Sequence, residues 1–199
     1  MNLGVVLKSY FPQKNKILLF DKYLGKISVS VANHNKDPRL TNGMIISRYI
    51  IDNSKKFNII KNFEIIEYPI SWYSDIYFLH HVLELYQYCT PKEAVCNELF
   101  ELIYFLCSSF DKFKSINSKK IFLYKFFLIL GIYPSDNDFY CHKLAIYSID
   151  KAINIKIDLD NEKKISNWLF KCIKLFNVKS FLNELIYNEN IEDFSNTHF

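Results

Sequence analysis

The sequence is poor in the residues that form phosphate loops and metal sites. It has 4 glycines and 5 prolines in 199 residues, and it contains neither GxGxxG nor GxxxxGK[ST]. A glycine loop that cradles phosphate is therefore excluded. No CxxC pair occurs among the five cysteines, so a zinc site with paired cysteine ligands is not indicated. We expect neither a metal nor another cofactor.

The chain also lacks a long hydrophobic run. The strongest, at residues 121–132, is interrupted by Lys125 and is shorter than the ~20 residues that span a bilayer. The apolar stretch near the amino terminus is shorter than a signal-peptide core of about 7–15 residues. We therefore expect a cytoplasmic protein without membrane contact, whose cysteines are reduced thiols packed as small hydrophobic residues.

Arginine is scarce as well, with two arginines against 23 lysines, while Ile, Asn, Phe and Tyr are abundant. These abundant residues have A/T-rich codons, so we interpret the skew as mutational bias and give the 17% aromatic content little functional weight. A hydrophobic fraction of 50% with a net charge of +4 excludes intrinsic disorder.

Two patterns of hydrophobic residues divide the chain near Pro69. Before it, short β-branched runs alternate with turn residues, which predicts five strands at residues 3–9, 16–20, 26–32, 44–51 and 57–68. This number of strands is typical of a small barrel of the oligonucleotide/oligosaccharide-binding (OB) type. We predict an α+β protein, with an amino-terminal five-stranded OB-type β-barrel over residues 1–70 packed on a carboxy-terminal α-helical domain over residues 71–199.

The second part has helical periodicity. We predict helices at residues 74–88 and 118–130, the latter buried because it is apolar nearly all round and ended by Gly131. Between them, Thr90-Pro91-Lys92-Glu93 has the pattern of a capping box, which predicts that a helix begins there. One or two further helices are predicted within residues 161–188.

Charge is unevenly distributed between these parts. Residues 1–70 have a net charge of +6 and residues 71–199 a net charge of −2. A phosphate-binding module attached to a neutral module for protein interaction would show this asymmetry. Lysines scattered over a soluble surface are the alternative interpretation.

No group of residues indicates an enzyme. Neighbouring His80 and His81 point about 100° apart on a helix, so we expect one to face the core and one to face solvent. Cys141-His142 is the only neighbouring Cys–His pair, and no cluster of carboxylates indicates a two-metal nuclease. A Cys/His hydrolase is the hypothesis that we place last. It would require a cysteine and a histidine side chain within hydrogen-bond reach of each other in a cleft.

Basic residues of the predicted barrel are the stronger functional signal, because proteins that bind single strands combine a positive groove with aromatic stacking platforms. Tyr10, Phe11, Tyr23, Tyr49 and Phe57 are candidates for stacking. The candidate DNA-binding residues are Lys8, Lys26, Lys36, Arg39, Arg48, Lys55 and Lys56.

Several segments resemble the RecO recombination-mediator family in the same order along the chain. NLGVVLKSY and KILLFDKYLGKISVSVA resemble the first barrel hairpin of that family, with Gly25-Lys26-Ile27 at its turn and residues 33–39 at its basic loop. YSDIYFLHHVLELYQYCTPKEAVCNELFELIYFL resembles the first two core helices, KIFLYKFFLILGIYP the long apolar helix, and WLFKCIKLFNVKSFLNELI the closing helix. The likeness extends over about residues 3–188.

The resemblance implies a cytoplasmic DNA repair protein without enzymatic turnover. Such proteins bind single- and double-stranded DNA, anneal complementary strands, contact RecR and the carboxy-terminal tail of single-stranded-DNA-binding protein, and thereby help to load RecA. For this tail we expect an apolar groove of the helical domain, edged by Lys119, Lys120 or Lys125.

Two departures from the family pattern affect these expectations. Many relatives have a four-cysteine zinc ribbon, whereas Cys141 is the only cysteine in residues 135–160. The loop after the third strand is also less basic than in typical members. The rival hypothesis is a degenerate relative that has lost DNA binding and acts as a scaffold for protein interaction.

Overall fold

The β-branched runs form one curled sheet of seven strands in the computed structural model of the chain, which describes residues 2–11, 14–32, 40–52, 58–67, 75–135 and 142–176. The strands are β1 (Leu3–Ser9), β2 (Lys16–Asp21), β3 (Gly25–Val31), β4 (Ile45–Ser47), β5 (Ile50–Asp52), β6 (Ile59–Lys61) and β7 (Glu64–Glu67). The helices are α1 (Ile76–Cys89), α2 (Asn97–Ser108), α3 (Ile116–Ile129), α4 (His142–Ile146), α5 (Ile149–Ala152) and α6 (Leu159–Leu175), with a 3₁₀ turn at Phe110–Phe113. The α+β class is confirmed.

The sheet differs from the predicted five strands because two of the predicted runs divide. Arg48 has a φ of +52° and Asn62 a φ of +51°, a left-handed conformation that interrupts an extended strand. The strand order is β5-β6-β3-β2-β1-β4-β7, antiparallel except for the pair β3 and β6. In the described part of the chain β5 and β7 are the edges, so a closed five-stranded barrel is not confirmed.

The chain forms two compact units, residues 1–110 and 111–199. In the first unit, both faces of the sheet carry buried side chains. One face encloses a core that includes Val6, Leu19 and Val29. On the opposite face, Phe20 packs edge-on to Tyr86 of α1, with ring centroids 5.5 Å apart, and is stacked with Phe100 of α2 at 6.2 Å.

The second unit contains α3 to α6. As predicted, α3 is buried nearly all round, and its Tyr124 and Phe127 contact Trp168 of α6 at centroid distances of 4.9 and 6.2 Å. Gly131 has a φ of +82° and donates its N–H to the Leu128 carbonyl at 2.9 Å, which confirms the predicted end of this helix. Among the described helices, none has the length and apolar character needed to cross a bilayer.

The predicted capping box is wrong. Helix α2 begins at Asn97, with Cys96 as its N-cap. Thr90 instead follows the last residue of α1, and its hydroxyl donates to the Tyr86 carbonyl at 2.5 Å. The Glu93 N–H donates to the carbonyl of Lys26 at 3.1 Å. Contacts with β3 therefore hold this segment in a non-helical connection.

Candidate nucleic-acid interface

The turn that joins β2 to β3 attaches the sheet to the connection between α1 and α2. Gly25 has a φ of +70°, and a Cβ atom there would lie 2.6 Å from the carbonyl carbon of Ala94. The next residue, Lys26, is buried, and its Nζ donates to the carbonyl oxygens of Gln87 (2.6 Å), Tyr86 (3.5 Å) and Thr90. One ammonium group therefore satisfies carbonyls that the end of α1 leaves without helical partners.

This position removes Lys26 from the predicted DNA-binding set. Burial lowers the pKa of Lys26, an effect that Cys89 opposes and Lys92 reinforces. Because all three N–H donors of the ammonium point to carbonyls of the protein, a phosphate has no access to them in this structure. The expectation that Lys26 contacts DNA is corrected: its role is structural.

Arg48 is exposed, as a residue that contacts phosphate must be, but it already has an anionic partner. Its Nη1 lies 3.1 Å from Oε1 of Glu64, with both side chains more than half exposed. An exposed ion pair of this kind contributes at most about 1 kcal/mol. The carboxylate nevertheless offsets the positive charge that would attract phosphate.

That Lys8 contacts DNA stays a prediction. Lys8 is exposed at the end of β1, and its Nζ lies 5.4 Å from the centre of the Tyr10 ring. The remaining predicted DNA-binding residues, Lys36, Arg39, Lys55 and Lys56, lie outside the described residues, as does Phe57.

Two lysines that the sequence-based prediction omitted lie beside Lys8 and Tyr10. The Tyr10 N–H donates to the Lys16 carbonyl at 3.1 Å, and the Lys14 N–H donates to the Tyr10 carbonyl at 2.9 Å. These bonds close the end of the β1–β2 hairpin and bring Lys14 and Lys16, both exposed, next to the strand end that holds Lys8. We call Lys8, Tyr10, Lys14 and Lys16 the hairpin-end cluster.

Strand register places two of these lysines on one side of the sheet. Lys8 is opposite Leu18, and directly opposed residues of antiparallel strands share a face. Lys16 shares that face with Leu18 because side chains two residues apart in a strand point the same way. The same side continues along β2 to Phe20, which packs against α1 and α2, whereas Lys8 and Lys16 are exposed at the hairpin end.

The electrostatic character of the hairpin-end cluster is positive. Residues 1–20 contain no Asp or Glu, a signal in the sequence that could have identified Lys14 and Lys16. In the part of the chain that the structure describes, no carboxylate pairs with the three lysines, whereas Lys22 at the far end of β2 pairs with Glu101 at 2.8 Å. Among the described residues, the charge of the cluster beside this aromatic ring is therefore uncompensated.

Two of the three lysines that were predicted to edge a groove for an acidic peptide are buried. Lys120 is buried, with Nζ 3.2 Å from Oε1 of Glu162, and Lys119 is half-buried. Lys125 is also buried, and its Nζ donates to the carbonyls of Leu144 (2.9 Å), Ala145 (3.2 Å) and Tyr147 (2.7 Å). The expectation that Lys120 and Lys125 edge a groove is corrected, since both ammonium groups are used inside the second unit.

Histidines and cysteines form no metal site among the described residues. His80 is exposed and His81 is half-buried, with its Nδ1 3.7 Å from Oε2 of Glu84. The neighbouring pair therefore points in different directions, as expected for a helix, and offers no common site for a metal.

Two of the cysteines, Cys89 and Cys107, lack the features of a reactive thiol. Burial raises the pKa of the Cys107 thiol, and it raises that of Cys89 to about 11, with Lys26 acting in the opposite direction on Cys89. A thiol with a raised pKa is a poor nucleophile near neutral pH. Cys141, the member of the Cys–His pair, lies outside the described residues.

Comparison with known proteins adds no relative: no protein-family model matches the chain, and no curated protein has significant similarity to it.

Proposed function

We propose that the chain is a DNA-binding mediator of repair and recombination, and that the hairpin-end cluster contacts the phosphate backbone. The observation that carries DNA binding is the group of three exposed lysines beside Tyr10, in a segment without acidic residues. Such a combination of cations and an aromatic ring suits a single strand, whose phosphates pair with lysine and whose bases stack on tyrosine.

The resemblance to the RecO family supports the more specific part of the proposal. It implies an OB-type barrel for the curled sheet, binding to single- and double-stranded DNA, and strand annealing without enzymatic turnover. It further implies that RecR and the tail of single-stranded-DNA-binding protein are partners, with RecA loaded as the result. Because Lys120 and Lys125 are buried, Lys119 is the one of the three predicted lysines that stays a candidate for the edge of a groove that contacts that tail.

The second candidate is a scaffold that bridges proteins without binding DNA. The burial of Lys26 and the pairing of Arg48 with Glu64 favour it, because both residues had been expected to contact phosphate. The two candidates differ in one measurable property, the affinity of the full chain for nucleic acid.

Fluorescence anisotropy of a labelled single strand with the full chain, over a series of salt concentrations, tests the proposal. We expect binding at low salt and a logarithmic affinity that falls linearly with the logarithm of salt concentration. Replacing Lys8, Lys14 and Lys16 together by Gln should reduce the slope by about 2, since each single-strand phosphate contact contributes about 0.7.

The matched control is the triple variant Lys143→Gln, Lys151→Gln and Lys156→Gln, which changes the net charge equally at exposed positions of the second unit. It should keep the slope of the unaltered chain. An absence of binding at low salt would refute the DNA-binding proposal and favour the scaffold. Equal slopes for the two triple variants would show that general charge, and not the hairpin-end cluster, governs binding.

A further inference from the structure

The solvent face of α6 carries a second row of lysines. The exposed positions are 163, 164, 167, 171 and 174. The buried side chains include Ile165, Trp168, Leu169, Cys172 and Ile173. With 3.6 residues per turn, the exposed positions fall on one side of the helix and follow its axis. We call Lys163, Lys164, Lys171 and Lys174 the α6 stripe.

Beyond the first turn of α6, where the exposed Asp160 and the N-cap Asp158 lie near Lys164, the charge of this face has one sign. From Lys163 to Leu175 the helix contains four lysines and no Asp or Glu. The two acidic residues of α6 lie in its first turn, and Glu162 is directed to the buried Lys120, 3.2 Å away. The stripe is unexpected from overall charge, because residues 71–199 have a net charge of −2.

The dimensions and chemistry of the stripe favour a phosphodiester backbone as its partner. Lys163 and Lys174 are separated along the helix by three turns, which corresponds to about 16 Å. A duplex strand presents a phosphate about every 3.4 Å along its axis, so the stripe is long enough to contact several phosphates. The exposed residues between Lys163 and Lys174 are Lys164, Asn167 and Lys171. The side-chain amide of Asn167 also suits phosphate contact.

An acidic peptide fits the stripe less well. Peptide recognition normally combines charge with apolar anchors that enter pockets. Between Lys163 and Lys174 every exposed residue is polar or basic, and the exposed apolar residues of α6, Leu159 and Leu175, lie only at its two ends. A polyanion such as a phosphodiester backbone can bind to a row of positive charges without apolar anchors.

We propose that the α6 stripe is a second surface that binds the phosphate backbone of nucleic acid. It goes beyond the proposed function, which assigns binding to the hairpin-end cluster of the sheet. Each of the two units then has its own basic surface for nucleic acid. Exposure and charge of the lysines carry the proposal; it does not require them to lack contacts within the protein.

The test uses the full chain and a labelled duplex, with anisotropy measured over a series of salt concentrations. The variant is Lys164→Gln with Lys174→Gln, and the control of equal charge is Lys143→Gln with Lys156→Gln, exposed residues of the same unit outside α6. Each phosphate contact with a duplex contributes about 0.9 to the slope, so the α6 variant should lose up to about 1.8 and the control should lose nothing.

Lysine acetylation followed by mass spectrometry locates the contact. We expect Lys164 and Lys174 to be modified in the protein alone and protected when the duplex is bound. A slope equal to that of the unaltered chain, or equal modification with and without duplex, would overturn the inference. Protection of these lysines from acetylation in the absence of duplex would also overturn the inference. An acidic segment of the chain or a second copy of the protein would then cover the stripe.

Failure of this inference can be distinguished from failure of the proposed function. If only the variant of Lys8, Lys14 and Lys16 loses slope, the hairpin-end cluster binds and the α6 stripe does not. If only the α6 variant loses slope, the stripe binds and the assignment to the hairpin end is wrong. If the unaltered chain does not bind the duplex at low salt, the α6 proposal fails, and the single-strand measurement decides the proposed function.

Discussion

The ammonium of Lys26 lies 2.6 Å from the carbonyl oxygen of Gln87, in the last turn of α1. The same group also binds the carbonyls of Tyr86 and Thr90, so a side chain of β3 closes the end of a helix that follows far later in the sequence. Lys125 has the equivalent role in the second unit, where it binds three carbonyls within residues 144–147.

Replacing Lys26 by Met should therefore destabilise the first unit without direct loss of a DNA contact. The substitution keeps most of the side-chain volume but removes the ammonium donor from the carbonyls of Gln87 and Thr90, while the Tyr86 carbonyl keeps the Thr90 hydroxyl. The cost is about 1–3 kcal/mol for each carbonyl that stays buried without a donor. Urea denaturation of the variant measures the free energy of unfolding. The control is Lys16→Met on the neighbouring strand, an exposed position where a change within about 0.5 kcal/mol is expected. Equal losses in both variants would contradict the structural role of Lys26.

Gly25→Ala should destabilise the chain more than Gly43→Ala. Both glycines have positive φ, +70° and +82°, so both substitutions introduce backbone strain of about 1–2 kcal/mol. At Gly25 the new Cβ would also overlap the backbone carbonyl group of Ala94, whereas at Gly43 the nearest atom is a methyl carbon of Leu79 at 3.0 Å. A side-chain methyl can move and a hydrogen-bonded backbone segment cannot do so easily. Thermal or urea unfolding of the two variants gives the comparison, and a larger loss for Gly43→Ala would contradict the close packing of the turn.

The hydroxyl of Tyr49 should remain protonated in the folded protein well above pH 10. Burial raises the pKa of Tyr49 most, and its hydrogen bond to buried Asp21 raises it further. Below the unfolded pKa of about 10 this contribution to stability is fully present. As the pH rises above that value, the unfolded chain loses a proton that the folded chain keeps, so stability falls by about 1.4 kcal/mol per pH unit.

Denaturation of the unaltered chain and of Tyr49→Phe above pH 10 measures this effect. The free energy of unfolding of the variant should fall less steeply with pH, because one proton fewer is released on unfolding. The variant should also be less stable at neutral pH, because Asp21 loses a hydrogen-bond donor. Tyr23→Phe serves as the control, since its ring is exposed on the β2–β3 turn. The same pH dependence for Tyr49→Phe and the unaltered chain would refute the assigned raised pKa.

Tyr10→Leu should weaken binding of a single strand, if the hairpin-end cluster binds nucleic acid as proposed. Stacking of a base on an aromatic side chain contributes about 1–3 kcal/mol, and leucine retains apolar bulk but has no ring. Tyr23→Leu, at an exposed tyrosine beyond the opposite end of β2, is the matched substitution and should leave the affinity unchanged. Anisotropy with single strands at fixed low salt measures both; a similar loss for both variants would argue against stacking on Tyr10.

Local sequence patterns predicted the elements whose structure depends on neighbouring residues. A short apolar run bounded by turn residues located β1 at residues 3–9, and the uninterrupted apolar surface of α3 predicted its burial, with Gly131 at its end. The patterns did not reveal that Arg48 and Asn62 divide two strands, because a left-handed φ at a residue other than glycine has little local signature.

The fate of each lysine was decided only by the tertiary structure. Lys8, Lys26 and Lys125 are chemically identical, and the sequence-based prediction assigned all of them to binding surfaces. An ammonium becomes structural when folding places it against the carbonyls at a helix end, as at Lys26, and it stays available to an anion when the strand end that holds it meets solvent, as at Lys8. The sequence by itself determined the α+β class and the basic character of the first 70 residues. Contacts between segments distant in sequence decide which of these lysines are exposed to solvent. A local sequence pattern does not contain that information.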